Sequence, residues 1–401
     1  MSHVGPDAVP RGGDASELLH ELVSHRLPAA VLREAHAAGA RQAALYVIDI
    51  DGSCLIRLGG ERSFPDRIQA PLAVGPELPP ETFAQVQDIV SSKIPDARVT
   101  PLCVRDRALG VLVTCGGPPG GLQDLAAGAA VSLELVSGYT DAVHRARRRK
   151  DINAAGEIQQ DLLPPRIATV AGAHVAGGVL PGYEVGGDFF DYAENDDGLW
   201  LAIGDAMGKG NSAAAISSLA VGALRAARRN DATLEQTAAA VHEAVSDVGG
   251  RHRFLTAVFA VWHPGSRTLA SINCGHPPPL IVAPGGRTVT ELVGEGTYPL
   301  GLFDRDRTFQ RVEQHIEPGQ RVLLYSDGIA EHRSDAGEPF GTENIARALI
   351  GCGTATAAGT VRALQDAVLS FSRRPLRDDA TILLMHALAE PRARASRRRA
   401  A

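Results

Sequence analysis

Four apolar runs in the C-terminal half of the chain begin or end on aspartate, and this restricts the fold more than any other feature. "VGGDFFDY" carries Asp188 and Asp191, "LWLAIGD" ends on Asp205, "RVLLYSDG" places Asp327 just past a run, and "RDDATILLMHAL" sets Asp378 and Asp379 just before one. A strand of this kind is buried along its length and meets solvent at its ends. If two of these strands run antiparallel to the third, all the carboxylates gather at one edge of a sheet. Clustered carboxylates raise each other's pKa unless a cation is present. An all-oxygen donor set suits Mg²⁺ or Mn²⁺ rather than zinc. Two such ions can activate a shared water against a phosphoryl group, with no protein nucleophile. The competing reading makes each Asp a turn residue, because Asp-Gly is a common turn dipeptide. Four such motifs in one segment bring the metal reading level with it.

Two rival motifs overlap these runs. "GDAMGKGNS" approaches the phosphate-binding G-x-x-x-x-G-K-[ST] loop. It fails because only three residues separate Gly204 from Gly208 and because Gly210, not Ser or Thr, follows Lys209. "GGDFF" resembles the GGDEF signature of nucleotide cyclases but lacks its Glu. Lys209 is either a contact for substrate phosphate or a solvated loop lysine.

The 401 residues suffice for two or three domains, and 44% hydrophobic content with only 4% aromatics predicts cores of Ala, Val, Leu and Ile. A net charge of −6 without a long basic face argues against nucleic acid as a partner. Five cysteines without a CxxC pair fit a reducing cytoplasm. No apolar run reaches the length of a membrane span. The start over 1–15 reads as a disordered lead-in, not a signal peptide, and the basic tail over 389–401 also reads as disordered.

Between these ends, 16–121 reads as an α+β module. It has a hairpin turning at Asp51-Gly52, a helix near 80–92 and a second strand pair turning near Asp106. Its element order resembles the GAF/PAS sensor group, which implies a small-molecule or protein signal. Residues 122–165 read as a helical linker. Leu122, Leu125, Ala129, Ser132, Val136, Tyr139 and Val143 follow three-and-four spacing, either as a dimerising seam that makes the chain a homodimer or as a helix packed on its own domain. The "RARRRK" run at 145–150 reads as a solvated linker. Ala155, Ile158 and Leu162 form one apolar stripe, predicted to pack on the small-residue helix near 212–228 and to regulate the acidic site. The alternative is a plain core helix. Residues 166–388 alternate short strands with two clear helices.

The C-terminal segment resembles the SpoIIE/RsbU-type phosphatases of the PPM metal-dependent Ser/Thr phosphatase superfamily. The resemblance rests on "AAGEIQQDLLPP", "VGGDFFDY", "IGDAMGKG", "NCGHPPPL", "YPLGLF", "LLYSDGIAEHR" and "RDDATILL", in that order. It implies an αββα sandwich of two antiparallel sheets flanked by helices, with two Mn²⁺ or Mg²⁺ ions at one end. It assigns Asp188, Asp205, Asp327 and Asp378 as metal ligands, together with the backbone carbonyl of Ala206. Asp191 and Asp379 become supporting acids. His276 either approaches the phosphate or braces a turn. The implied substrate is a phosphorylated anti-anti-sigma protein, a STAS domain carrying phosphoserine. Two other classes remain as alternatives: a non-catalytic dimeric scaffold of phosphatase-like fold, and a nucleotide cyclase.

Overall fold

The unbroken apolar run over 43–48 gives a strand buried on both faces, and the expected hairpin forms around it. The computed structural model describes residues 26–117, 122–170, 172–180, 186–249, 253–292, 294, 296–302 and 307–389. The lead-in over 1–15, the start of the 16–121 module and nearly all of the basic tail lie outside these residues. The chain divides into two units, 1–150 and 151–401.

In the first unit the strands are β1 (Gln42–Ile48), β2 (Cys54–Gly60), β3 (Arg67–Gln69), β4 (Ala97–Val104) and β5 (Arg107–Cys115). They form one antiparallel sheet in the order β3-β2-β1-β5-β4. Leu45 and Val47 face helices α1 (Leu27–Ala37) and α3 (Gln123–Ser137). Tyr46 and Ile48 lie in the opposite cluster with Val86 and Val90 of α2 (Phe83–Lys93). The period of two in β1 thus serves two cores.

Two expectations for 122–165 change. The helical stretch breaks after Ser137, and Thr140 caps a short α4 (Asp141–Ala146) by accepting from the Ala142 N–H at 3.3 Å. Leu125, Ala129, Ser132, Val136 and Val143 of the stripe are buried within their own unit, whereas Tyr139 is 70% exposed. The linker is also divided: α3 and α4 belong to the first unit, and α5 (Ala154–Leu162) to the second.

The basic run is not a solvated linker. Arg149 reaches Asp49 at 2.5 Å and Asp51 at 2.6 Å. Burial lowers the pKa of Arg147, while Glu77 and Glu134 act to raise it. Asp49 also accepts the Ser53 and Cys54 N–H groups at 2.7 and 2.9 Å, which fixes the β1–β2 turn. Linear charge pattern cannot show this, because the partners lie about 100 residues away. Asp49→Ala should therefore cost about 3 kcal/mol, since it strands a half-buried guanidinium and two turn donors. Urea denaturation monitored on the first unit's transition measures this; a cost under about 0.5 kcal/mol would show the pair to be peripheral.

The second unit stacks two antiparallel sheets. One has β6 (Ile167–Val170), β7 (Ala173–Leu180), β12 (Leu280–Val282), β13 (Val289–Glu291), β15 (Arg321–Tyr325) and β16 (Ala380–Ala387), in the order β13-β12-β15-β16-β7-β6. The other has β8 (Asp188–Asn195), β9 (Gly198–Ala206), β10 (Leu255–His263), β11 (Thr268–Cys274) and β14 (Val312–His315), in the order β14-β11-β10-β9-β8. Val175, Phe190, Ile203, Val258, Leu324 and Leu383 fill the space between them. Helices α6 (Asn211–Arg229) and α7 (Leu234–Gly249) cover the five-stranded sheet through Ile216, Leu224, Val241 and Phe259. After a single turn, α8 (Asp327–Ala330), come α9 (Gly341–Gly351) and α10 (Ala357–Phe371). These last two were not read from sequence; α9 buries Ile345 and Leu349, and α10 buries Ala357, Ala358, Thr360, Val361, Leu364, Gln365 and Val368. Among the described residues, no helix is long and apolar enough to cross a membrane.

Candidate metal centre

Antiparallel pairing brings the aspartates to one end of the sandwich. β8 starts where β9 stops, so Asp188 lies directly opposite Asp205. β15 pairs antiparallel with β16, Tyr325 opposite Ile382. This sets Asp327, just past β15, beside Asp378 and Asp379, just before β16. Each sheet contributes acids from adjacent strand ends, and the two sets meet across the stack.

Burial and the resulting charge density raise the pKa of several of these groups. Burial raises the Asp188 carboxyl well above the usual carboxylate range, and Asp205 and Asp379 add to it. Asp205 is pushed up to about 7 by burial and then by Asp327. Asp379 is pushed up to about 6 by burial, against the stabilising hydrogen bonds it accepts. Asp188 Oδ2 is buried with no hydrogen-bond partner. An orphaned carboxylate oxygen among like charges is the setting a hard divalent cation satisfies. The all-oxygen chemistry of these side chains suits Mg²⁺ or Mn²⁺, while among the described residues no group of three or more is placed closely enough to hold an ion.

The "GGD" turn has a steric explanation. A Cβ on Gly187 would sit 2.4 Å from the Ala206 carbonyl oxygen, so only glycine lets β8 approach β9 here. The Ala206 N–H donates to Gly187 O at 3.2 Å, and the Ser217 hydroxyl on α6 donates to the same carbonyl. The Gly186 N–H donates to Asp379 Oδ2 at 2.9 Å. The "SDG" glycine is fixed in the same way, because a Cβ on Gly328 would fall 1.9 Å from Asp379 O.

The expected site residues separate into three groups. Asp188, Asp205, Asp327, Asp378 and Asp379 come together, with the Ala206 backbone beside Gly187. Lys209 is exposed and pairs with Asp378 at 3.0 Å. His276 braces its turn: its N–H donates to Asn273 Oδ1 and its carbonyl accepts from Asn273 Nδ2, both at 2.8 Å. Its Nδ1 meets the Thr256 hydroxyl at 2.9 Å, and Thr256 is the β10 partner of Asp205. Burial pulls the His276 pKa down to about 3, so the ring is neutral near pH 7. Its neighbour Cys274 is a buried thiol pushed up to about 11, unsuited to nucleophilic work. Asp191 does not join the acids. Three residues along β8 from Asp188, it points to the other face and pairs with Arg225 at 2.8 Å and Arg228 at 2.9 Å on α6.

Sequence reasoning missed Gln159. Its Nε2 donates to Asp379 Oδ2 at 2.6 Å and to the Asp188 carbonyl at 3.0 Å. It shares the buried side of α5 with Ala155, while Ile158 and Leu162 are half-buried. The stripe was drawn one residue off because only apolar residues were counted. A Gln four residues after a buried Ala was the available signal. As predicted, α5 packs on α6: Leu162 packs against the α6–α7 core, and its carbonyl accepts from Arg225 at 2.6 Å.

The raised carboxyl pKa values set a pH dependence. The folded chain keeps these protons to higher pH than the unfolded chain, so stability falls as pH rises from about 4 to about 7. Chelator-treated protein should melt at lower temperature at pH 7.5 than at pH 5 (roughly, by the linkage above). Added Mn²⁺ should narrow the gap. Equal melting temperatures at both values without metal would show that these carboxylates are not crowded.

Comparison with known proteins agrees with this architecture. Residues 195–388 match the family model "Stage II sporulation protein E (SpoIIE)". The chain is 22% identical over 261 residues to "Phosphoserine phosphatase RsbU" of Bacillus subtilis, covering 63% of this chain and 77% of that one. It is 26% identical over 232 residues to "Protein IcfG" of Synechocystis, covering 50% of this chain and only 36% of IcfG. The solved SiaA-PP2C domain of Pseudomonas aeruginosa has the same fold, with a TM-score of 0.50 at 23% identity over 58% of this chain and 94% of that domain. The C-terminal unit is thus similar to the SpoIIE family over residues 195–388 and shares its fold with a PP2C domain.

Proposed function

We propose that the chain is a metal-dependent protein serine/threonine phosphatase acting on a phosphorylated STAS-type anti-anti-sigma protein, under the control of its N-terminal unit. The observation that carries the reading is the meeting of Asp188 and Asp205 from one sheet with Asp327, Asp378 and Asp379 from the other. Asp188, Asp205, Asp327 and Asp378, with the Ala206 carbonyl, would hold two Mn²⁺ or Mg²⁺ ions. When bound, such ions acidify water and neutralise phosphoryl charge.

The chain's own groups hold the site in shape. Gln159 and the Gly186 N–H fix Asp379. Burial keeps His276 neutral, while Thr256 holds its ring and Asn273 its backbone. The "GGDFF" stretch is spent on the turn that braces Asp379, which removes the motivation for a cyclase. The likeness to RsbU supports a phosphoserine substrate. Five free cysteines support a reducing, cytoplasmic setting.

Activity on p-nitrophenyl phosphate should vanish with EDTA and return with Mn²⁺, less well with Mg²⁺. Asp205→Ala should lower turnover roughly 10²-fold or more while the fold persists. Turnover that survives thorough chelation, or wild-type turnover in Asp205→Ala, would overturn the mechanism and leave a scaffold with a phosphatase-like fold.

Control is assigned to α5. Ala155 seats this helix, and Ile158 and Leu162 set its position on the second unit. Gln159 carries that position to Asp379 and Asp188. A signal received by the first unit, small molecule or protein, would bias two placements of α5. Gln159→Leu keeps the volume and removes both hydrogen bonds. It should raise the Mn²⁺ concentration for half-maximal activity about tenfold at a nearly unchanged melting temperature. Ile158→Ala should also change metal affinity. Loss of stability alone, with normal metal dependence in the folded fraction, would make α5 a structural helix only.

A further inference from the structure

We propose that Arg333, Arg374 and Arg377 form an anion-reading rim that selects protein segments with acidic residues beside the phosphoserine. The proposal rests on the phosphatase reading of the same cavity. That cavity, of about 340 Å³, has the acids Asp205, Asp327, Glu331 and Asp378 in its lining together with Lys209 and these three arginines.

The arginines come from two segments distant in sequence, one following α8 and one preceding β16. Asp335 ties the segments together. Its Oδ1 accepts from the Ser372 hydroxyl at 3.1 Å and from the Arg373 N–H at 3.3 Å, and its carbonyl accepts from Arg374 Nη2 at 3.2 Å. Arg333 Nη1 donates to the Gly337 carbonyl at 2.9 Å. Two of the guanidinium groups are thus steadied by neutral backbone acceptors. Among the described residues none of the three arginines makes an ion pair, and all three are exposed.

Elsewhere in the unit Arg225 and Arg228 pair with Asp191, and Lys209 pairs with Asp378. Metal ions held by the acids would neutralise the carboxylates and leave the guanidinium charge in excess at the mouth. Guanidinium forks match carboxylates bidentately. The carboxylates available to them in a bound phosphoprotein are the residues flanking the phosphoserine.

The test uses the full chain with Mn²⁺ and two phosphoserine peptides, one flanked by Asp and Glu, the other by Asn and Gln. The readout is the ratio of kcat/KM for the acidic peptide to that for the neutral one. Wild type should favour the acidic peptide roughly tenfold, and each arginine replaced by glutamine should remove about a two- to fivefold share. Arg333→Gln/Arg374→Gln, with Arg377→Gln alone as the second variant should the pair fail to fold, should bring the ratio toward one. A wild-type ratio near one, or a ratio unmoved by the substitutions, would overturn the rim. Hydrolysis of neither peptide would instead refute the phosphatase reading. The rim is then decided by fluorescence anisotropy with labelled phosphonate versions of both peptides: a binding preference that disappears in the variant supports it, and its absence in wild type removes it.

Discussion

Like charges confined at the end of two stacked sheets govern the second unit. Asp188 opposite Asp205 is an unfavourable pair on its own, and Asp327, Asp378 and Asp379 make it worse. The fold supplies the opposing constraints. Rigid strands hold the acids at fixed separations. Tight glycine approaches close the turns, and Gln159, Gly186 and Ser217 fix the surrounding backbone. A site built in this way is unfavourable without a cation. The same crowding couples site occupancy to the stability of the strand ends.

Much of this was legible in the chain. Asp205 at the end of "LWLAIGD" and Asp327 in "SDG" stood out because an apolar run that stops on a carboxylate has few other uses. Strand polarity then followed from the requirement that the acids meet. Asp191 was misplaced for a simple reason: it stands three residues from Asp188, an odd step that a strand turns to its opposite face. There two arginines of α6, 34 and 37 residues away, take it up. Gln159 went unseen because its partner Asp379 lies 220 residues further on. Polar contacts of that range leave no local periodicity.

The first unit shows the same limit. Its strands and hairpins follow from short apolar runs and turn residues. The fate of the run at 145–150 does not, because it depends on Asp49 and Asp51 at the far end of a hairpin. The three-and-four spacing over 122–143 fits either a seam between chains or a helix packed on its own unit, because spacing alone does not say what buries a stripe; five of its residues are buried within the unit and Tyr139 is exposed.

The glycines of "GGD" and "SDG" change how variants of this protein should be interpreted. A side chain at Gly187 or Gly328 collides with the backbone of a neighbouring segment, so an alanine there displaces Asp205 or Asp379 without touching any reacting group. Such a variant would look catalytically dead in a screen. The motif letters that identify the site therefore record two kinds of necessity, chemical for the aspartates and spatial for the glycines, and loss of activity alone does not separate them.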